Sequence, residues 1–404
     1  MRYIHRQIEP LLMKLSGQFP ALAVTGPRQC GKSTLLKELF SSTHRYITFD
    51  DPLVRERASS DPRLFLETAG EKVIFDEIQY APKLLSYIKM AIDADRWKKG
   101  RFLFTGSQQF TMMKDLGDSL AGRIALLELL PFHLDEKRSV PGISKTLSSP
   151  TGAFVHACLV GSYPELCLQK KIERRAWYGA YVRTYLERDI RTLYNIGDLR
   201  EFQLFMQLLA GRVSQILNLT SFSQEIGVSV NTIKKWVSIL EASRIIYLLH
   251  PYYQNFGKRL TKSPKVYFLD SGVVSYLTGL ETKENLLNGP LAGALFENFW
   301  IQETLKTFFF RGAQPKIYYA RSYNGLEIDL LIEGRNLRLF PCEIKMTKTP
   351  RLQMGEPIRR FRELLPKLPI QEGRILCLSE EDIPLQKGLK VHALKNFWNW
   401  LAEQ

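Results

Sequence analysis

Eight consecutive residues near the amino end have the types and the spacing of a phosphate-binding loop. Residues 26–33 follow the pattern G-x-x-x-x-G-K-[ST]. In such a loop the backbone N–H groups bind phosphate oxygens, the lysine reaches the outer phosphates, and the hydroxyl binds Mg²⁺. The predicted nucleotide-binding residues are Gly26, Pro27, Arg28, Gln29, Cys30, Gly31, Lys32, Ser33 and Thr34. The pattern therefore predicts a triphosphate site, with ATP and Mg²⁺ as the expected ligands.

The residues around this loop match the setting that it requires. An apolar run at residues 21–24 precedes it, and a helical pattern at residues 34–39 follows it. Strand, loop and helix in this order point the loop N–H groups and a helix N-terminus at one anion. The alternative, a glycine-rich turn with an ordinary surface lysine, is disfavoured by these flanks.

Two acids end a second apolar run, at residues 72–77. Acids at the carboxyl end of a parallel strand lie beside the phosphate loop, because ligands bind at that edge of an open α/β sheet. We therefore predict that Asp76 is a Mg²⁺ ligand together with Ser33, and that Glu77 orients and deprotonates the attacking water. The alternative is a strand that simply ends at the surface.

Two further residues are candidates for the same site. A third strand is predicted at residues 101–104, and Ser107 follows it. This serine would contact the γ-phosphate or the water, or else cap the next helix. Arg123 would stabilise charge on the transferred phosphate, in cis or in trans, although a plain surface arginine fits the sequence equally well.

A second set of chemistry-bearing residues lies near the carboxyl end. Strands are predicted at residues 317–321, 326–332 and 337–345, with a hairpin turn at Asn324. Glu343 and Lys345 are two residues apart on one strand, so their side chains share a face. With Asp329 on the neighbouring strand they form the spacing D-x13-E-x-K. The set resembles the PD-(D/E)xK nucleases.

The residue types in this second set suit phosphodiester hydrolysis. Asp329 and Glu343 would bind one or two Mg²⁺ ions, while Lys345 would steady or activate the water. Glu297, on a helix predicted at residues 294–305, would orient a metal-bound water or the lysine. Pro341 lacks an N–H group, so we expect its strand to lie at a sheet edge or to be bulged. A non-catalytic docking module remains the alternative.

The segment between these two sets predicts a helix-turn-helix. Residues 221–229 form a helix that ends in a glycine turn, and residues 230–240 form a second helix. Ile233, Val237 and Leu240 lie on one apolar stripe of that helix. Strands at residues 245–249 and 265–269 flank a basic loop, as in a wing. Such a unit contacts either DNA or protein.

Composition limits the classes of partner and the compartment. Lys and Arg number 56 against 41 acids, a formal charge of +15, which favours a polyanionic partner. We expect nucleic acid, DNA more than RNA, rather than a membrane surface, although a merely basic cytosolic protein would also fit. The five cysteines form no CxxC pair, so we expect a reducing compartment, a cytoplasmic location and no zinc site. A homo-oligomer is compatible with the sequence.

The length of 404 residues allows two or three domains. A Ser-, Gly- and Pro-rich segment at residues 139–150 is predicted to be a linker. No run of about 18 apolar residues and no signal peptide is seen, so no membrane association is expected. The predicted domains are residues 1–150, 151–290 and 291–404.

Nearly the whole chain resembles a large family of bacterial and archaeal AAA-type ATPases that carry a C-terminal domain of unknown function. The matching stretches are residues 26–34, 49–52, 74–79, 104–107, 119–123, 258–272 and 295–298. The resemblance implies an α/β fold with an AAA-like P-loop domain, a helical and winged-helix middle, and a PD-(D/E)xK nuclease-like end.

Three functions are consistent with these residues. In the favoured one, ATP hydrolysis at the first site controls nucleic-acid binding and Mg²⁺-dependent phosphodiester cleavage at the second. In the second, an ATP-gated switch binds DNA or protein, and the nuclease-like domain is not catalytic. In the third, an AAA machine acts on protein; it ranks last because no aromatic pore loop is identifiable.

Overall fold

The structure of the chain is a computed structural model that describes residues 3–106, 120–184, 199–252, 263–322 and 325–404. Three features predicted from the sequence lie outside these residues. They are Ser107, Asn324 and the basic loop at residues 257–262.

The amino-terminal part is built on a five-stranded parallel sheet in the order β2-β3-β4-β1-β5. The strands are β1 (Ala21–Thr25), β2 (Arg45–Thr48), β3 (Val73–Asp76), β4 (Phe102–Gly106) and β5 (Ile124–Glu128). Both faces of β1 are buried, because alternate residues enter two separate apolar clusters. This burial explains why the strand reads as a continuous apolar run.

Helices cover this sheet on both faces. They are α1 (Glu9–Ser16), α2 (Lys32–Phe40), α3 (Pro52–Ser60), α4 (Pro62–Ala69), α5 (Leu84–Ala94) and the short α6 (Leu134–Arg138). Helices α3 and α4 each begin with an aspartate cap followed by proline, at Asp51 and Asp61. Both signals are typical of helix starts.

The middle of the chain is mainly helical. Its elements are α7 (Pro150–Leu159), α8 (Pro164–Leu168), α9 (Arg174–Thr184), α10 (Leu199–Gly211), α11 (Leu219–Ile226), α12 (Val230–Ala242), β6 (Ile246–Leu249), β7 (Lys265–Phe268), α13 (Ser271–Thr278) and α14 (Lys283–Asn288). Gly227, with φ +85°, ends α11, and the Ser229 side chain caps α12. Strands β6 and β7 then pair antiparallel. The helix, turn and helix predicted here are therefore present.

The segment at residues 139–150, which was predicted to be a linker, is packed against the rest of the chain. Val140, Ile143 and Leu147 in this segment are buried in the main apolar cluster, together with residues of α7 and α15 (Ala292–Phe309). The small and polar residues therefore serve tight turns on a packed surface rather than a flexible connection. Composition alone does not separate these two cases.

The carboxyl-terminal part is a six-stranded mixed sheet in the order β12-β13-β11-β10-β9-β8. The strands are β8 (Ile317–Arg321), β9 (Glu327–Glu333), β10 (Leu339–Ile344), β11 (Gly373–Leu376), β12 (Ile383–Gln386) and β13 (Leu389–Val391), with helices α16 (Glu356–Leu364) and α17 (Leu394–Glu403). Helix α15 is buried along most of its length, since it packs against α7, β7, β10 and α17.

The expectation for Pro341 holds in part, since the strand is not at an edge but its pairing is irregular on one side. Its strand β10 lies inside the sheet, between β9 and β11, and its register with β9 is unbroken from Leu339 to Cys342. The ladder with β11 begins only at Cys342. On that side Leu339 pairs with Ile370 and its N–H group donates to Pro369 O, so the pairing slips by one residue between Leu339 and Cys342. The Pro341 nitrogen, which has no hydrogen to donate, lies at this slip.

Within the parts of the chain that the structure describes, no helix combines the length and the apolar composition needed to cross a membrane.

Candidate functional site

The phosphate-binding loop leaves β1 at Gly26 and enters α2 at Lys32. Gly26 has φ +142°, and a Cβ atom there would lie 2.0 Å from the Leu129 carbonyl oxygen. Gly31 has φ +99° and forms the N-cap of α2. Both positions therefore require glycine, one for close backbone approach and both for left-handed geometry.

The ammonium group of Lys32 lies over the loop. It donates hydrogen bonds to Gly26 O at 3.0 Å and to Pro27 O at 2.8 Å, and its side chain is buried. Both partners are neutral carbonyl groups, so neither hydrogen bond supplies a negative charge to offset the buried ammonium group. An incoming phosphate oxygen would supply one, so the arrangement suits an anion.

Asp76 at the end of β3 lies beside the loop. Its Oδ1 accepts a hydrogen bond from Ser33 Oγ at 2.5 Å and another from the Thr105 hydroxyl. Its Oδ2 accepts from Tyr46 at 2.6 Å. Ser33 and Asp76 are the pair that would hold Mg²⁺ in a P-loop enzyme. Thr105 and Tyr46, which fix the carboxylate, were not predicted from the sequence.

No group of three or more His, Cys, Asp or Glu residues is placed to hold a metal ion in the described part of the chain. The Ser33–Asp76 pair supplies two oxygen atoms, and Mg²⁺ in P-loop sites takes most of its other ligands from phosphate and water. The short hydroxyl–carboxylate contact brings two oxygen donors to one point, as an octahedral ion needs.

Glu77 follows Asp76 and also lines the cavity at the loop. Its φ of +57° lies in the left-handed region, which costs a non-glycine residue about 1 kcal/mol or more. Its N–H group donates to Thr105 Oγ1 at 3.1 Å, and its carboxylate accepts from the Gln79 amide. The Gln79 hydrogen bond thus holds the carboxylate of a residue that lines the cavity.

The cavity at the loop has a volume of about 800 Å³ and two walls. The loop forms one wall, and α8 with α9 forms the other. Trp177 and Tyr181, one turn apart on α9, stack with ring centroids 5.3 Å apart and planes at 5°. The sequence analysis missed these two residues. Their spacing of four on one helix face is the signal that would have indicated a shared surface.

Arg6 supports the loop from beneath and was also missed. It is 4% exposed and donates to Cys30 O at 2.9 Å and to Leu130 O at 2.6 Å. Its Nε lies 3.1 Å from Glu136 Oε1. One buried guanidinium thus ties the loop, the chain beyond β5 and helix α6 together.

Arg123 is not brought to this site. It immediately precedes β5, at the amino edge of the sheet, whereas the loop lies at the carboxyl edge. Its guanidinium makes a two-point ion pair with Asp93 of α5, at 2.6 and 2.9 Å. An action of Arg123 in cis is therefore incompatible with this arrangement, because a strand length separates it from the loop. Action in trans stays a prediction.

The second predicted set comes together only in part. Lys345 Nζ lies 3.0 Å from Asp329 Oδ2 and 2.8 Å from Glu343 Oε2. The two acids lie on neighbouring strands, one step beyond the Cys342–Leu330 pair. Glu343 is 1% exposed, and its Oε1 has no hydrogen-bond partner among the described residues. Burial, and next the Asp329 charge, raise the pKa of Glu343 to about 8.

Glu297 is held by a different element. Its Oε1 accepts from Lys265 Nζ at 3.0 Å and from the Tyr267 hydroxyl at 2.6 Å, both on β7. Lys265 also pairs with Glu327 at 2.6 Å. Burial raises the pKa of Glu297 to about 7. The Asp329 charge also raises the pKa of Glu297, so the charges of these two acids interact although the hydrogen bonds of Glu297 go to β7. Lys265 is a charged neighbour that was not predicted from the sequence.

Three family descriptions match the chain in succession. Residues 18–137 match an AAA domain. Residues 151–284 match a domain of unknown function, DUF8612, and residues 292–397 match another, DUF4143. The AAA match contains the loop, Asp76 and Glu77. The part of the chain built on the five-stranded parallel sheet is therefore an AAA-type P-loop ATPase domain.

Relatives along most of the chain carry no functional description. An uncharacterized protein of Mycobacterium tuberculosis is 27% identical over 368 residues, which cover 91% of this chain and 78% of that protein. An uncharacterized protein of Methanocaldococcus jannaschii is 22% identical over 407 residues, with coverages of 93% and 87%.

Solved structures resemble the chain more distantly. The Walker-type ATPase PABY2304 of Pyrococcus abyssi has a TM-score of 0.43 and 14% identity, and the match covers 68% of this chain and 96% of that one. The RuvB Holliday junction branch migration motor of Thermotoga maritima has a TM-score of 0.33 and 14% identity, with coverages of 60% and 89%. Scores this low support no conclusion about this chain.

Proposed function

We propose that the protein is a Mg²⁺-dependent ATPase that uses nucleotide turnover to control the binding of nucleic acid, DNA rather than RNA. The observation that carries this proposal is the meeting of Ser33 and Asp76 at 2.5 Å, beside a phosphate loop and in one cavity with Glu77. These residues match the parts that hydrolysis of a γ-phosphate requires.

Each residue has a defined role in the proposed reaction. The loop N–H groups and the Lys32 ammonium would bind the β- and γ-phosphates and offset their charge. Ser33 and Asp76 would hold Mg²⁺, which, when bound, neutralises charge that develops between these phosphates. Glu77 would accept a proton from the attacking water at its carboxylate. The Gln79 amide, which donates to Glu77, would keep that carboxylate oriented.

Two contacts support a connection between the ATPase domain and the helix-turn-helix. Arg244, directly after α12, makes a two-point pair with Glu128 at the carboxyl end of β5, at 2.5 and 2.8 Å. Tyr178, on the helix that lines the cavity, donates to Asp270 Oδ1 at 2.8 Å. Asp270 caps α13 immediately after β7. Movement at the nucleotide would therefore be transmitted to two places in this unit, the turn after α12 and the turn after β7.

The choice of nucleic acid rests on charge and on the helix-turn-helix. A net charge of +15 favours a polyanion. Helix α12 exposes Asn231, Lys234 and Lys235 on the side away from its buried stripe. An exposed polar and basic face on the second helix is what major-groove binding requires.

The test combines turnover and binding in one preparation. Purified protein is assayed for phosphate release from Mg–ATP and for binding to a labelled duplex by fluorescence anisotropy, with and without nucleotide. We expect turnover, and a DNA affinity that differs between the ATP-bound and ADP-bound forms. Turnover without any DNA binding, across duplex and single-stranded probes, would contradict the nucleic-acid part alone.

A second activity is favoured by one observation in the carboxyl-terminal sheet. The buried Glu343 retains an oxygen without a partner among the described residues, next to Asp329 and Lys345. A carboxylate oxygen without a hydrogen-bond partner can serve as a metal ligand, and the Asp–Glu–Lys set suits phosphodiester hydrolysis. We include Mg²⁺-dependent cleavage as the second candidate function, against a non-catalytic docking role.

Cleavage is tested with plasmid and short DNA substrates in Mg²⁺ or Mn²⁺. Cuts by the wild type should disappear in Lys345→Ala and persist in Lys348→Ala, whose lysine is exposed three residues away. Intact substrate under all conditions, with ATP-sensitive DNA binding, would favour the switch.

A further inference from the structure

Part of the lining of the nucleotide cavity is aromatic and apolar rather than charged. Tyr3 and Ile4 contribute from the segment before α1, while Pro164, Leu168 and Trp177 contribute from α8 and α9. The loop supplies the phosphate contacts, so this aromatic and apolar lining is the part of the cavity that suits a base. Pro164 lies close to the loop itself, 3.9 Å from a Cβ atom built on Gly31.

A carboxylate stands in this apolar wall at a fixed orientation. Glu165 lines the cavity, and its Oε2 accepts a hydrogen bond from Trp177 Nε1 at 2.9 Å. The tryptophan ring is in turn stacked on Tyr181, whose hydroxyl accepts from Tyr163 at 2.7 Å. A carboxylate has about four acceptor sites and no donor, so Glu165 retains acceptor capacity towards the cavity.

We propose that Glu165 is the residue that selects the base, by accepting a hydrogen bond from the exocyclic amino group of adenine. The inference rests on the proposed ATPase function and names the specificity of the same site. Adenine presents an N–H₂ donor at C6, whereas hypoxanthine presents a carbonyl oxygen there. An oxygen facing a carboxylate loses the hydrogen bond and adds repulsion between two acceptors.

The proposal predicts a measurable ratio between the affinities for ATP and for ITP. A hydrogen bond to a charged group corresponds to about a 10-fold to 100-fold change in affinity, so ITP should bind weaker than ATP by that factor. In Glu165→Gln the amide oxygen still accepts from Trp177 Nε1, and the amide N–H₂ donates to the hypoxanthine oxygen. The variant should therefore lose most of the ATP preference and bind ITP more tightly than the wild type does.

The experiment is a calorimetric titration of the full chain with Mg–ATP, Mg–ITP and Mg–GTP. Trp177→Ala should weaken ATP and ITP through lost apolar contact, and it should also reduce the ratio of the two affinities, because Glu165 loses the N–H donor that orients it. Glu284→Gln, at an exposed glutamate of α14, is the matched control and should keep the wild-type ratio.

The outcomes distinguish a failure of the proposed ATPase function from a failure of the proposed role of Glu165. Binding of no purine triphosphate by the folded wild type would overturn the ATPase function itself. Equal affinity for ATP and ITP, or a ratio unchanged in Glu165→Gln, would overturn only the role of Glu165. A preference for GTP over ATP would overturn the assignment to adenine, because guanine carries its amino group at a different ring position.

Discussion

Glu77 combines backbone in the left-handed region with a carboxylate in the lining of the nucleotide cavity. At this turn Ile78 enters the apolar cluster beneath, while Glu77 stays at the cavity. Sequence reasoning found the residue because acids at a strand end near a phosphate loop are informative. It did not find Thr105 or Tyr46, whose roles depend on which strands are neighbours.

The first prediction concerns Glu77→Gln. The variant should bind Mg–ATP like the wild type but hydrolyse it about 10²-fold to 10⁴-fold more slowly, because an amide cannot accept the proton of water. Phosphate release and nucleotide binding are measured separately. Glu71→Gln, an exposed change just before the same strand, should retain full turnover. Unchanged hydrolysis in Glu77→Gln would remove this residue from the mechanism.

The second prediction concerns Arg6, the buried arginine that supports the phosphate-binding loop. Arg6→Met should lower the free energy of unfolding by about 3–5 kcal/mol, since it leaves the buried Glu136 carboxylate without its cationic partner. Urea unfolding measures the change. Arg63→Ala breaks an exposed pair on α4 and should cost less than about 1 kcal/mol. Similar losses in both variants would contradict the supporting role of Arg6.

The third prediction concerns pH and Glu343. Its pKa is raised from an ordinary 4.5 to about 8, so the folded state keeps a proton that the unfolded state releases. The stabilising contribution of this group is therefore present below about pH 4.5 and is lost as the pH rises to about 8. Glu343→Gln should remove this loss, so its melting temperature relative to the wild type should rise between pH 5 and 8.

A half-buried glutamate on the neighbouring strand gives the comparison. Glu333→Gln should show no such rise relative to the wild type over the same pH range. A Glu343→Gln curve parallel to that of the wild type would show that the carboxylate is not protonated in the folded state.

At the scale of elements, helix α9 is fixed by a tyrosine that fits between two glycines. A Cβ atom on Gly161 would lie 1.9 Å from the Tyr178 hydroxyl, and one on Gly272 would lie 2.0 Å from it. The hydroxyl passes between them to reach Asp270. Because the two glycines have no side chains, the Tyr178 hydroxyl fits between them. This contact sets the position of α9, which forms the second wall of the cavity.

The fourth prediction follows from this packing. Gly161→Ala should cost about 3 kcal/mol, through overpacking and through φ +85°. Combining it with Tyr178→Phe should cost less than the sum of the two single changes, because the clashing hydroxyl is gone. Gly293→Ala, in α15 with open space around its Cβ, should be neutral or slightly stabilising. Additive losses in the double variant would contradict the contact.

The elements that the sequence predicted well are those with a local signal. The strand, loop and helix at the phosphate site appear as β1, residues 26–31 and α2, and Gly227 ends the first helix of the helix-turn-helix as expected. Other features have no such signal. The distance of Arg123 from the loop and the interior position of the Pro341 strand depend on strand order, which no local pattern contains.

At the scale of the whole molecule, the nucleotide cavity joins parts of the chain that are far apart in sequence. Its loop wall comes from residues 28–31 and α2, and its aromatic wall from α8 and α9. The polar network behind it is continuous: Ser162 N donates to Asp270, and Lys306 Nζ donates to Ser162 Oγ and pairs with Glu303. The aromatic wall comes from helices that lie far from the loop in the sequence. For this reason no local sequence pattern predicted it.

The most direct test is calorimetry with Mg–ATP on the wild type and on Lys32→Ala. The account predicts saturable binding of one nucleotide per chain by the wild type. It predicts no detectable heat for folded Lys32→Ala, and wild-type behaviour for Lys14→Ala, an exposed lysine on α1. A folded wild type that gives no heat at millimolar nucleotide, or a Lys32→Ala variant that binds equally well, would contradict the central claim.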